Sequence, residues 1–174
     1  MTFLKAFIHH PKINGDFKEK EEEVILLVRA HPITQIYWFL NGIFIFFILM
    51  AINYVFFSYL NLSQKLFINL FVIVVIFSYW WFNFLSWYFN VGIVTNKRII
   101  DIDFYGFIYK EITSAKLEKI EDITVKAGGF FASVFNYGNI FIQTAGTQIN
   151  IEFFNVPSPN KVRDLINNLT VEKQ

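Results

Sequence analysis

From Ile36 to Phe89 the chain is apolar almost without a break, and nothing constrains its fold more. Within that stretch, Ile36–Leu60 and Leu66–Phe89 contain no Asp, Glu, Lys or Arg. Each is long enough, at roughly 36 Å as a helix, to cross a hydrocarbon core of about 30 Å with some tilt. Hydrocarbon offers backbone amides no partner, so two such segments must be helices, being too few to close a barrel. A soluble helix would show a polar face, and neither segment has one. The five residues Asn61–Lys65 leave room only for a tight antiparallel hairpin.

Lysine and arginine counts orient that hairpin. Residues 1–35 carry five, the turn carries Lys65 alone, and residues 90–174 carry nine. The positive-inside rule then puts both termini in the cytoplasm and the protein in the cell membrane as a multi-pass chain. Tyr37, Trp38, Trp87 and Tyr88 fall at headgroup depth, where aromatic belts form. Asn41, Asn53, Asn69 and Asn83 lie inside the spans. Antiparallel folding brings Asn41 within a residue or two of Asn83, which predicts an interhelical amide hydrogen bond. A polar substrate path is the other reading of buried amides, but two helices enclose no pore.

Charge and composition exclude several classes of function. The net charge of +1 comes from Lys65, since the two flanking regions are each balanced, five against five and nine against nine. Neither is a polybasic surface for nucleic acid. With no cysteine in 174 residues there is no disulfide, thiolate nucleophile or thiolate metal ligand. His9-His10 are poorly placed to share an ion, no glycine-rich phosphate loop or serine nucleophile motif is present, and no cofactor or metal site is expected. No cleavable signal is evident, because the first apolar segment begins only after 35 mixed residues.

The soluble remainder divides into a lead-in (1–35) and a small domain (90–170). The lead-in ends in a charge run, Lys18–Glu23, that reads as a solvated face. It then gives a short strand over residues 24–29, expected to pair with an edge of the later sheet, which stops before Pro32. Beyond the hairpin the periodicity becomes alternating. Residues 86–95 emerge as a strand, Asn96-Lys97 turn, and Arg98–Phe104 returns with Ile100, Ile102 and Phe104 on one face and Asp101 and Asp103 on the other, where salt-bridged surface groups are expected. Further strands follow at 108–113, 120–126, 139–144 and 148–154, with an apolar loop or helical turn at 130–136. Ser158 is the expected cap of a final helix, with Pro159 at its first position and Val162, Leu165, Ile166 and Leu169 as one apolar stripe. The pattern is α+β: a two-helix membrane hairpin followed by a bent antiparallel sheet, partly closed as a barrel and capped by an amphipathic helix.

The residues Trp87–Ile100, with Thr95-Asn96-Lys97-Arg98 at their centre, resemble the opening of the bacterial pleckstrin-homology-like domain of YdbS-type membrane proteins. Leu117–Ile123 is similar to that family's mid-domain strand and Tyr137–Gly146 to its glycine-led hairpin. The lead-in Glu22–Pro32 also matches, with Glu-Glu where Gly-Glu is usual. The resemblance spans about residues 21–169 and implies a pleckstrin-homology-like superfold. That fold hosts lipid, peptide and protein binding, so it licenses no activity by itself.

With no catalytic set, the expected function is a membrane-held binding or assembly module that acts through protein contacts: a second copy or another membrane protein, in contact with the lipid bilayer. Anionic-lipid binding, or sensing of membrane stress, is the alternative. Candidate lipid or partner contacts are Lys97 and Arg98 at the first hairpin and the apolar Phe130 and Phe131. That apolar loop would plug the barrel end, dip into the interface or meet a second subunit.

Overall fold

The computed structural model describes residues 7–9, 22–56, 59–105, 109–145 and 150–172. They fall into two compact units, one of residues 35–86 and the other of residues up to 34 together with 87–174.

The first unit holds α1 (Ile36–Phe56) and most of α2 (Leu62–Phe89), two helices long and apolar enough to cross a membrane. Helix α2 begins earlier than expected, inside the segment read as a turn. Asn61 Oδ1 accepts from the Gln64 amide at 3.0 Å and Gln64 Oε1 accepts from the Asn61 amide at 3.1 Å. This reciprocal capping box satisfies two helix-end donors and fixes the start of α2 at Leu62. Gly42 gives the helices their close approach, because a Cβ there would meet the Trp80 indole. Phe39 stacks on the same indole with ring centroids 5.2 Å apart.

The second unit is a pair of antiparallel sheets. Strands β1 (Phe7–His9), β2 (Val24–Val28), β3 (Val91–Thr95), β4 (Arg98–Tyr105) and β5 (Tyr109–Lys116) form one sheet in that order. Strands β6 (Ile120–Lys126), β7 (Tyr137–Thr144) and β8 (Ile151–Pro157) form the other. A short helix α3 (Phe130–Phe135) joins β6 to β7, and α4 (Pro159–Val171) ends the domain. The main core is shared by both sheets and α4. It contains Leu26, Val28, Val94 and Ile99 from the first sheet, Ile140, Ile142, Ile151 and Phe153 from the second, and Val162 and Ile166 from the helix.

Strand β2 pairs with β3 as expected, with Val28 opposite Gly92. The whole apolar hairpin is therefore an insertion between two adjacent antiparallel strands. The domain is discontinuous, and its first main strand lies in the segment read as a lead-in. Gly92 is required at this pairing because a Cβ would meet the Phe153 ring of the opposite sheet at 2.6 Å.

Two local expectations are corrected. Ser158 stands at the N-cap of α4 with Pro159 next, as expected, but its side chain makes no cap bond; it takes a left-handed conformation (φ 42°), and its Oγ accepts from Asn136 Nδ2 at 3.2 Å. The two faces of β4 alternate as expected, but the aspartate face is not at the surface. Ile100 and Ile102 join Val24 and Ile93 in a separate apolar cluster on the outer side of the first sheet, while Ile99 faces the shared core. Asp101 and Asp103, expected at the surface, alternate with those isoleucines and so face the inter-sheet side.

Candidate functional site

On that inter-sheet side lies an open cleft of about 120 Å³, lined by Arg29, Asn90, Gly92, Asp101, Asp103 and Glu152 among others. Three carboxylates and one guanidinium make it acidic on balance. Burial is the main cause that pushes the Asp101 carboxyl up to about 7, with the charge of Asp103 next. A backbone hydrogen bond from Ile102 opposes the shift, and the charges of Glu111 and Glu152 add to it. The Asp103 carboxyl is raised as well, by burial and then by Glu111.

Arg29 is turned to another task. Its Nε donates to the Tyr88 carbonyl at 3.1 Å, and its guanidinium carbon lies 4.5 Å from the Tyr88 ring centroid. Burial pulls its pKa down, and the Tyr88 contact works the other way. Alongside, Trp87 Nε1 donates to the Ala30 carbonyl at 2.8 Å. The two crossings of chain into the apolar hairpin are thus tied to each other at the mouth of the cleft.

The sequence-derived candidates are scattered. Lys97 and Arg98 sit at the β3–β4 turn, the far end of β3 from Asn90 and the cleft. Arg98 grips Glu22 in a two-pronged ion pair, Nε to Oε1 at 2.9 Å and Nη2 to Oε2 at 3.0 Å. Glu22 is buried rather than part of a solvated charge run. Thr95 Oγ1 lies 2.8 Å from Glu22 Oε1 and accepts from the Arg98 amide at 2.9 Å. Asn96 Oδ1 accepts from the Glu23 amide at 3.0 Å. The Thr-Asn-Lys-Arg string thus builds a turn around a buried carboxylate.

Phe130 and Phe131 lie on α3 with their rings edge to face, 5.7 Å apart, and both are exposed. They do not plug an end of the domain; of α3, only Ala132 is buried. Asn41 and Asn83 do not form the interhelical bond. Asn83 Nδ2 donates to the Tyr79 carbonyl of its own helix at 2.8 Å, and Asn41 is exposed. The amide bond between helices is made by the other pair, Asn53 Nδ2 to Asn69 Oδ1 at 3.0 Å. Among the described residues there is no group of three or more His, Cys, Asp or Glu placed to hold a metal. The His10 residue and the His9 side chain lie outside the described residues.

Sequence reasoning passed over Glu22, Arg29, Asp101, Asp103 and Glu152. The pattern offers one signal for the aspartates: a strand whose flanking isoleucines continue through Ile99 and Ile100 has apolar residues on both faces, so its acids need not be outside.

A model of the bacterial PH domain family matches residues 24–170 of the chain. No curated protein matches it. A solved structure similar to it is that of a DUF1696 family protein with a pleckstrin-homology domain from Shewanella loihica. The two are 19% identical, over 47% of this chain and 70% of that one, with a TM-score of 0.38.

Proposed function

Because the chain belongs to the bacterial PH domain family, we propose that it is a membrane-anchored, non-catalytic binding module that receives a basic side chain of a protein partner in the β4–β8 cleft. The partner is a second copy or another membrane protein. Helices α1 and α2 are the anchor. They expose Phe44, Phe47, Phe67, Phe77 and many other large apolar side chains, a surface that suits lipid and not water. An even number of spans agrees with the pairing of β2 on β3, which needs the segments before and after the hairpin on one side of the membrane. The lysine and arginine count makes that side the cytoplasm.

The acidity of the cleft carries the choice of partner. Asp101, Asp103 and Glu152 repel a phosphate and attract a lysine or arginine, and Arg29 is engaged with Tyr88. The basic turn that would serve an anionic headgroup has its arginine committed to Glu22. A domain stitched into its own anchor also has no need of headgroup affinity to reach the membrane.

Native mass spectrometry of the full chain, released gently from its own membrane, tests this reading. Discrete homo-oligomers or a second polypeptide, lost in Asp103→Lys, support it. A monomer carrying one defined anionic lipid overturns it in favour of lipid recognition.

A further inference from the structure

The helix α3 presents an apolar face with no obvious use inside the domain. Gly129 (φ 93°) turns the chain into it and Asn136 (φ 52°) ends it in the left-handed region, its amide donating to the Ala132 carbonyl. Between them Phe130 is 77% exposed, Phe131 55%, Val134 59% and Phe135 40%. No charged residue lies between Lys126 and Glu152.

Its place in the domain is specific. The Phe135 ring lies 6.4 Å from that of His31, and the Tyr137 ring lies 5.9 Å from it on the following strand. His31 is itself fixed to the second sheet, its amide donating to the Asn155 carbonyl at 2.7 Å. The next residue, Pro32, opens the 3-10 turn Pro32–Gln35 from which α1 starts. So α3 flanks the point where the chain leaves the domain for its first apolar helix.

We propose that α3 lies in the interfacial layer of the bilayer, with Phe130, Phe131, Val134 and Phe135 among the headgroups and upper acyl chains. This rests on the reading of α1 and α2 as membrane spans. Aromatic side chains prefer that layer, and a single apolar turn held near the residue where the chain leaves the domain needs little affinity of its own to stay there. The face has no lysine or arginine, so burial of apolar area drives insertion, and anionic lipid is not required. The bound turn would fix the tilt of the domain over the membrane.

The chain has no cysteine, so one site at a time can be labelled. Val134→Cys, Phe47→Cys in α1 and Glu118→Cys, exposed in the β5–β6 connection, are each labelled with a polarity-sensitive fluorophore. Each full-length variant is placed at one chain per nanodisc, with nitroxide lipids quenching at shallow or deep positions. The label at 134 should emit to the blue of that at 118 and be quenched more by shallow than by deep nitroxides, equally in zwitterionic and in partly anionic discs. The label at 47 should be quenched best by deep nitroxides. Quenching at 47 without quenching at 134 overturns the placement of α3 and leaves the spans standing, even if the 134 label emits to the blue. Quenching at 134 only in anionic discs overturns the apolar mechanism. No quenching at 47 overturns the spans and this proposal with them.

Discussion

The guanidinium of Arg29 caps the last turn of α2 through the Tyr88 carbonyl, 3.1 Å from its Nε, while covering the Tyr88 ring. The carbonyls at a helix C-terminus lack intrahelical partners and carry partial negative charge. Helix α2 has no basic residue in its own last turn, so the strand that precedes the hairpin supplies the cation. Arg29→Ala should therefore destabilise the domain by about 1–3 kcal/mol. Arg29→Lys should recover part of this, since an ammonium can reach one carbonyl but cannot lie flat on the ring. Unfolding in nanodiscs, followed by tryptophan emission, measures both. A neutral Arg29→Ala would show that the bond contributes nothing to the closed junction.

The two long apolar helices were legible because hydropathy is a property of composition alone, and the strands because alternation survives in almost every one. What hydropathy cannot show is pairing across a gap: Val28 and Gly92 are neighbours although the whole hairpin separates them. The same separation hid Glu22, whose partner Arg98 follows both helices. Alternation also fixes which residues share a face without saying which face is inside. In β4 the aspartate face reads as surface because carboxylates are usually solvated, but the sheet buries apolar residues on both sides. Four asparagines within the apolar helices were visible, yet the choice of pair turned on where α2 begins. Moving that start from Leu66 to Leu62 shifts the hairpin and brings Asn53 to Asn69.

The Glu22–Arg98 pair predicts an asymmetry between two adjacent basic residues. The side chain of Glu22 is 1% exposed and that of Arg98 24%. Removing the arginine strands a buried carboxylate, so Arg98→Ala should cost about 3–5 kcal/mol. Lys97→Ala leaves the Glu22–Arg98 ion pair in place and should cost less than Arg98→Ala. Adding Glu22→Gln to Arg98→Ala should restore part of the loss, because the stranded charge goes with it. Equal effects at 97 and 98 would mean that the pair is not what holds the turn.

Asp101 predicts a pH dependence. Its ordinary value of 3.8 rises to about 7 in the cleft, so the folded protein holds a proton that the unfolded chain has released. The stabilisation from that proton is complete below about pH 4 and is lost as pH rises through about 7. The full shift corresponds to about 4 kcal/mol. Water in the open cleft screens it, leaving about 1–2 kcal/mol. Asp101→Asn should stabilise the domain by that amount at pH 8, change little near pH 4, and flatten the profile between. Denaturant midpoints across that range test the sign. Stability rising with pH in the native chain, with the slope abolished by Asp101→Asn, would contradict it.

Within the hairpin, close approach and polar bonding make separable predictions. Asn69 is well satisfied, accepting from Asn53 and donating through Nδ2 to the Lys65 carbonyl at 2.8 Å. Asn53 Oδ1 is buried with no hydrogen-bond partner. Asn53→Leu therefore loses one interhelical bond but removes an unsatisfied oxygen, and should cost no more than about 1 kcal/mol. Gly42→Ala allows no such compensation. Its Cβ would fall on the Trp80 indole nitrogen, and Trp80 also stacks on Phe39, so the ring cannot move without breaking that packing. The glycine variant should lose more helix-pair stability than the asparagine variant, measured by steric trapping of the full chain in bicelles. The reverse order would mean that the amide pair, and not the contact at Gly42, holds α1 against α2.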